Sequence, residues 1–196
     1  MVHNVDAMTN DIRALLTYVQ TEKPKVWKLA LDTCWTWYPN TTQTAIDCAE
    51  MYNISVVQAA GIIAAFSIRT RWHKNLEDVM TFMDTGECAG LKLRVKKARA
   101  ILALGVNATW EDVAKVLNGK KVVRFAHNIL HGNSSIMATI DVWMCRVMHI
   151  AHKKLSKIVG LYEAAEQAVM IVASELMMPV PVAQAFIWVC VRGRAD

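Results

Sequence analysis

One carboxylate and two adjacent lysines are the residues of this 196-residue chain best suited, by type and spacing, to do chemistry. Asp141 lies in Ala138-Thr139-Ile140-Asp141-Val142, in the first turn of a helix expected to start at Thr139. Lys120 and Lys121 follow Asn118-Gly119 in a bend that opens another expected helix. A glycine-containing bend at a helix start turns backbone N–H groups outward, and the helix dipole adds partial positive charge there. With two lysines beside it, such a bend can seat a phosphate. An ionised aspartate at a second helix N-terminus is a device for stabilising a nearby cation. Residues 117–148 therefore predict a clamp for a DNA backbone together with a catalytic acid. The plainer readings are that Asp141 only caps its helix and that the lysines are solvated side chains touching phosphate.

The surrounding charge favours a polyanionic partner. Lys92, Arg94, Lys96, Lys97, Arg99, Lys115, Lys120, Lys121 and Arg124 crowd residues 91–128, against only Glu111 and Asp112. Gly119, Lys120, Arg124 and Lys97 are the expected phosphate contacts, which position a duplex without reading its sequence. Arg69 and Arg71, with Ser67 and Trp72, can supply a wedge and a stacking face for an extruded base. The alternative makes Trp72 a core residue and the arginines solvated helix-end residues. Trp143 divides in the same way between pocket wall and core. His127 and His131 have the spacing of a two-histidine metal site, but no third ligand motif accompanies them. A pair interacting with a helix C-terminus is expected instead, and no metal.

The elements that must position these residues read as helices almost throughout. No run of alternating β-branched residues is bounded by hairpin turns, so the expected fold class is all-α. Amphipathic helices are predicted over 8–20, 25–38 and 40–52, the second stopped by Pro39. A capping box, Ser55 to Gln58, opens a helix over 56–66 that is apolar on all sides and so should be the buried, central one. The pattern breaks at 67–72. Helices are predicted again over 74–83, 91–104 and 109–117, then in the 117–130 segment and over 139–152. Two more, over 162–177 and 182–191, are separated by Pro179 and Pro181.

Length and composition bound the rest. The chain is long enough to bury a proper core, as one helical domain over 1–196 made of two closely packed lobes. Its 54% apolar content and seven tryptophans exclude a disordered chain. A net charge of +5 and a pI near 9.0 lean towards a polyanion. Five scattered cysteines with no CxxC spacing point to free thiols in a reducing cytoplasm. No secretion signal is evident, and the longest apolar runs, 54–68 and 168–191, are too short or too interrupted to span a bilayer. A soluble cytoplasmic protein with no membrane association and no obligate protein partner is expected.

Several of these residues also follow a known pattern. Leu117-x-Gly119 with its following helix, then Ala138-Thr-Ile-Asp141-Val, resembles the helix-hairpin-helix DNA glycosylase superfamily, with its L-P-G-V-G-x-K hairpin and V-D at the next helix start. Gly90-Leu91 and Lys97-Ala98-x-x-Ile101 resemble the segment before that hairpin, and residues 64–70 stand where the superfamily has L-L-S-x-Q-T. The resemblance covers 61–151, with the hairpin at 117–130 and the aspartate helix at 139–152, and is closest to small members carried by bacteriophages. It implies a two-lobed all-α fold acting in a bacterial host's cytoplasm on double-stranded DNA with a flipped base. Asp141 would assist cleavage of an N-glycosidic bond by stabilising oxocarbenium character. Asn118 replaces the hairpin proline, the second glycine is missing, and Trp143 stands where the superfamily has histidine. The lyase lysine falls on Val123 in an ungapped alignment, or on Lys121 if the hairpin is shorter. A Lys121 Schiff base would need burial or nearby cations. Hydrolysis without a lyase step is favoured, and no cofactor is expected, the four-cysteine iron–sulfur motif being absent. Two rivals remain: hypermodification of activated 5-modified pyrimidines in DNA, and a non-catalytic DNA-binding module.

Overall fold

The structure, a computed structural model, describes residues 4–195. Among them there are helices and connections but no strands, so the chain adopts the all-α class that its periodicity predicts. In chain order the helices are α1 (Val5–Glu22), α2 (Pro24–Tyr52), α3 (Val56–Phe66), α4 (Trp72–Thr85), α5 (Lys92–Leu102), α6 (Trp110–Leu117), α7 (Lys120–His131), α8 (Val142–Val147), α9 (His152–Leu155), α10 (Leu161–Glu175) and α11 (Val180–Arg192), with a 3-10 turn at Gly132–Ser134. They form two compact units. One takes the chain up to Pro39 and again over Gly132–Ala195; the other is Asn40–His131. The 117–130 hairpin belongs to the second unit and Asp141 to the first. The stretch 61–151 thus draws on both.

Within Asn40–His131, α3 is the axis. Ser55 closes its N-terminus as predicted: its Oγ accepts from the Gln58 N–H at 3.2 Å, and its own N–H donates to Gln58 Oε1 at 3.1 Å. Every residue from Gln58 to Phe66 is buried, because α4, α5, α6 and α7 all pack against this helix. Gly61 sets the closest approach. A Cβ there would lie 2.4 Å from Val113 Cγ1 and 3.3 Å from Ile101 Cδ1. Side chains close the helix C-termini, whose last carbonyls have no helical donor. Gln58 Nε2 donates to the Ile101 carbonyl at 3.0 Å, Thr42 Oγ1 to that of Ile129 at 2.7 Å, and Lys97 Nζ to that of Leu117.

In the unit containing Gly132–Ala195, α11 plays the buried role, packed by α1, α8 and α10. Ile12, Leu16, Val169, Val172 and Phe186 lie in its core. Pro179 caps α11, and Pro181 sits inside the first turn, where a missing N–H costs little. The break before α11 is therefore not made by both prolines, as the sequence suggested.

Two further boundaries differ from expectation. α2 is one helix with Pro39 inside it, not two helices stopped and restarted there. Proline cannot serve the carbonyl four residues back, but Asn133 Nδ2 donates to that Trp35 carbonyl at 2.9 Å and replaces the lost bond. The single helix expected over 139–152 is instead a non-helical segment ending at Asp141, then α8, a turn with His149 at φ 51°, and α9. Asp141 is consequently the cap of its helix, not a residue of the first turn. All five cysteines are free thiols, with Cys34, Cys145 and Cys190 buried. No single helix among the described residues is long and apolar enough to cross a membrane.

Candidate functional site

Asp141 owes its position to α10. Tyr162 and Glu166 are one helical turn apart and project from the same face. The Glu166 carboxylate accepts the Ala138 N–H at 3.0 Å. The Tyr162 hydroxyl accepts the Ile140 N–H at 3.0 Å and donates to the Ala138 carbonyl at 3.3 Å. These bonds satisfy a buried backbone that no helix or sheet serves, and they fix the direction in which the chain enters α8.

At that entry Asp141 Oδ1 accepts from the N–H groups of Trp143 at 2.8 Å and Met144 at 3.0 Å, an N-cap on the first turn of α8. Its other oxygen, Oδ2, accepts from the indole Nε1–H of Trp188 on α11 at 3.1 Å. A carboxylate offers about four acceptor directions, so three bonds hold the group still and leave room for one more partner. The side chain is half-buried and is not sunk in hydrocarbon.

Flat aromatic and guanidinium groups adjoin it. The Arg192 guanidinium lies 3.9 Å from the Trp188 ring centre and 5.7 Å from that of Trp143. Arg146 lies 4.2 Å from the Trp143 ring, and Trp37 and Trp188 are 6.0 Å apart. Trp143 is half-buried among these cations, between the two roles foreseen for it. Sequence reasoning found Asp141 and Trp143 but missed Tyr162, Glu166, Trp188, Arg146 and Arg192. Trp143-x-x-Arg146 and Trp188-x-x-x-Arg192 carry a signal, since both spacings bring side chains together on one helix face. The Trp188 bond to Asp141, across 47 residues, carries none.

The other unit holds the hairpin. α7 begins at Lys120, so both lysines belong to its first turn and not to the bend before it. The left-handed residue is Asn118, at φ 46°, and a Cβ on Gly119 would meet only the Leu117 carbonyl oxygen at 3.8 Å. The bend therefore does not need glycine at 119. Lys97 supports it by donating to the Leu117 carbonyl, and burial lowers the pKa of this ammonium. Lys120 is exposed and Arg124 half-buried.

Lys121, Ser67 and Trp72 do come together. Lys121 Nζ donates to Ser67 Oγ at 3.3 Å and lies 5.5 Å from the Phe125 ring centre, against which Trp72 packs edge-on at 6.5 Å. Arg94 fixes the connection that carries Ser67 by donating to Phe66 O and Thr70 Oγ1, at 2.8 and 2.7 Å, and to Ile68 O. Arg69, at φ 56°, and Arg71, at the start of α4, are exposed. An open depression of about 410 Å³ beside Arg94 is lined by Ile68, Gly90, Leu91, Lys92 and Leu93, with no carboxylate among them.

In class, this is an all-α protein in which one unit presents a fixed helix-capping aspartate among tryptophans and arginines, and the other a lysine-bearing helix start. Over residues 24–195 the chain matches a family of unknown function, DUF7178, and it belongs to that family. No curated protein and no solved structure matches it.

Proposed function

We propose that this protein acts on DNA as a glycosylase-like enzyme, cleaving the N-glycosidic bond of a modified or damaged base with the help of Asp141. The observation that carries the reading is the third bond to Asp141. A helix cap needs only the two N–H groups on Oδ1; the Trp188 indole on Oδ2 fixes the carboxylate beyond what capping requires. A carboxylate held by preformed dipoles loses little reorganisation energy when positive charge develops on a sugar beside it. The unused acceptor direction suits an attacking water, and the indole faces of Trp143 and Trp188 suit an extruded base. The resemblance of residues 61–151 to helix-hairpin-helix glycosylases supports the same reading. In it Gly119, Lys120 and Arg124 hold phosphates, and Lys121, beside Ser67, is the candidate for a Schiff base.

The test is a strand-cleavage assay over a panel of damaged and phage-type bases, with and without alkali. Alkali-dependent breaks that vanish in Asp141→Asn are expected. Borohydride trapping that depends on Lys121 would add a lyase step. A changed base with an intact glycosidic bond would favour hypermodification, and activity untouched by Asp141→Asn would overturn the role of the acid.

A further inference from the structure

The structure sorts the basic residues by whether they already have partners. Arg13 pairs with Glu175, Lys74 with Glu77 and Asp78, Arg99 with Glu87, and Lys115 with Asp112. Arg94 and Lys97 are occupied by backbone carbonyls and Lys121 by Ser67. Much of the basic excess over 91–128 is thus engaged inside its own unit. One run is different. Arg146, His149, His152, Lys153, Lys154 and Lys157 follow Asp141 with no acidic residue before Glu163. Each of them is exposed, and Leu155 is the single buried residue from Ala151 to Val159. Among the described residues no carboxylate lies within ion-pairing distance of any of these six.

We propose that this arch, from the end of α8 through α9, is a binding surface for the phosphate backbone of DNA, in the same unit as Asp141. Exposed cations without counter-charges hold condensed anions loosely and exchange them for phosphates with a gain in counterion entropy. The Arg146 guanidinium on the Trp143 face also provides a flat cationic surface at one end of the arch, which suits nucleic acid better than a lipid headgroup. The choice of DNA rests on the function proposed above; the charge pattern stands without it.

The test compares binding of a short fluorescent duplex, over a range of salt, by the full chain and by the triple variant Lys153→Gln, Lys154→Gln, Lys157→Gln. These side chains are exposed, so the variant should fold normally, which thermal melting checks. The variant should bind ~10–100-fold more weakly near 0.1 M salt, with a salt slope shallower by ~2–3. Lys92→Gln with Lys96→Gln, in the other unit, should lose less. Unchanged affinity and slope in the triple variant would overturn the proposal, as would binding to anionic phospholipid vesicles but not to DNA. DNA binding without any base release would leave this surface standing and remove the catalytic reading. Base release by the wild type, with undiminished binding by the triple variant, would do the reverse.

Discussion

Asp141 touches α8 through one carboxylate oxygen and Trp188 through the other, and substitutions separate the two contacts. Asp141→Ala removes the cap and should cost ~1–2 kcal/mol in denaturant unfolding, whereas Asp141→Asn keeps an acceptor for the helix N–H groups and should cost less. Equal losses in the two variants would contradict the cap geometry. His127 gives a pH signature in the other unit. Burial first, then His131 and Arg124, push its pKa down from 6.5 to about 4. Between those values the unfolded chain takes up a proton that the folded imidazole refuses. Stability is therefore unaffected above the upper value, falls as pH drops through the window, and stops falling below the lower one. The ring is only partly buried, so screening limits the loss to ~1 kcal/mol. Denaturation midpoints against pH should show this slope in the wild type and lose it in His127→Gln. An unchanged slope would assign it to other groups. Asp141 was legible in the sequence because a carboxylate at a helix start has a short-range signature. Trp188 was not, because nothing local in α11 marks an indole that reaches another helix.

The elements obey the same division between local and distant causes. α3 was legible to the residue, since its capping box and all-round apolar pattern are both local and both predict a buried axis. Gly61→Ala should destabilise the protein by ~1–3 kcal/mol, because the new methyl meets the short, stiff side chain of Val113. A neutral or stabilising result in thermal unfolding would mean that α6 can shift away. Pro39 is a local stop signal that divides α2 into two expected helices, while its remedy, Asn133, lies far along the chain. The region around α8 departs from its local signal for a similar reason. Residues 138–140 have helical-looking neighbours, but Glu166 and Tyr162 hold their backbone in another conformation. Tyr162→Phe leaves the Ile140 N–H and the Ala138 carbonyl without that partner and should cost ~1–3 kcal/mol. A loss no larger than that of an exposed tyrosine would show that the segment is held by packing alone.

Across the whole chain, periodicity indicates helices, length and apolar content indicate a buried core, and the net charge of +5 indicates an excess of cations. It could not indicate which cations are available, because that depends on carbonyls and carboxylates that only folding brings near. Lys97 has the sequence setting of a phosphate contact but is turned towards the Leu117 carbonyl; the run from Arg146 to Lys157 has no carboxylate within ion-pairing distance among the described residues. The role proposed for Asp141 is to meet positive charge on a sugar with a carboxylate already held in place. It can be tested before any target base is known, by comparing affinities for two duplexes, one with a cationic pyrrolidine in place of an abasic sugar and one with a neutral tetrahydrofuran. The wild type should prefer the cationic duplex by ~10-fold or more, and Asp141→Asn should bind both alike. Equal binding of the two duplexes by the wild type, or a preference that survives Asp141→Asn, would contradict it.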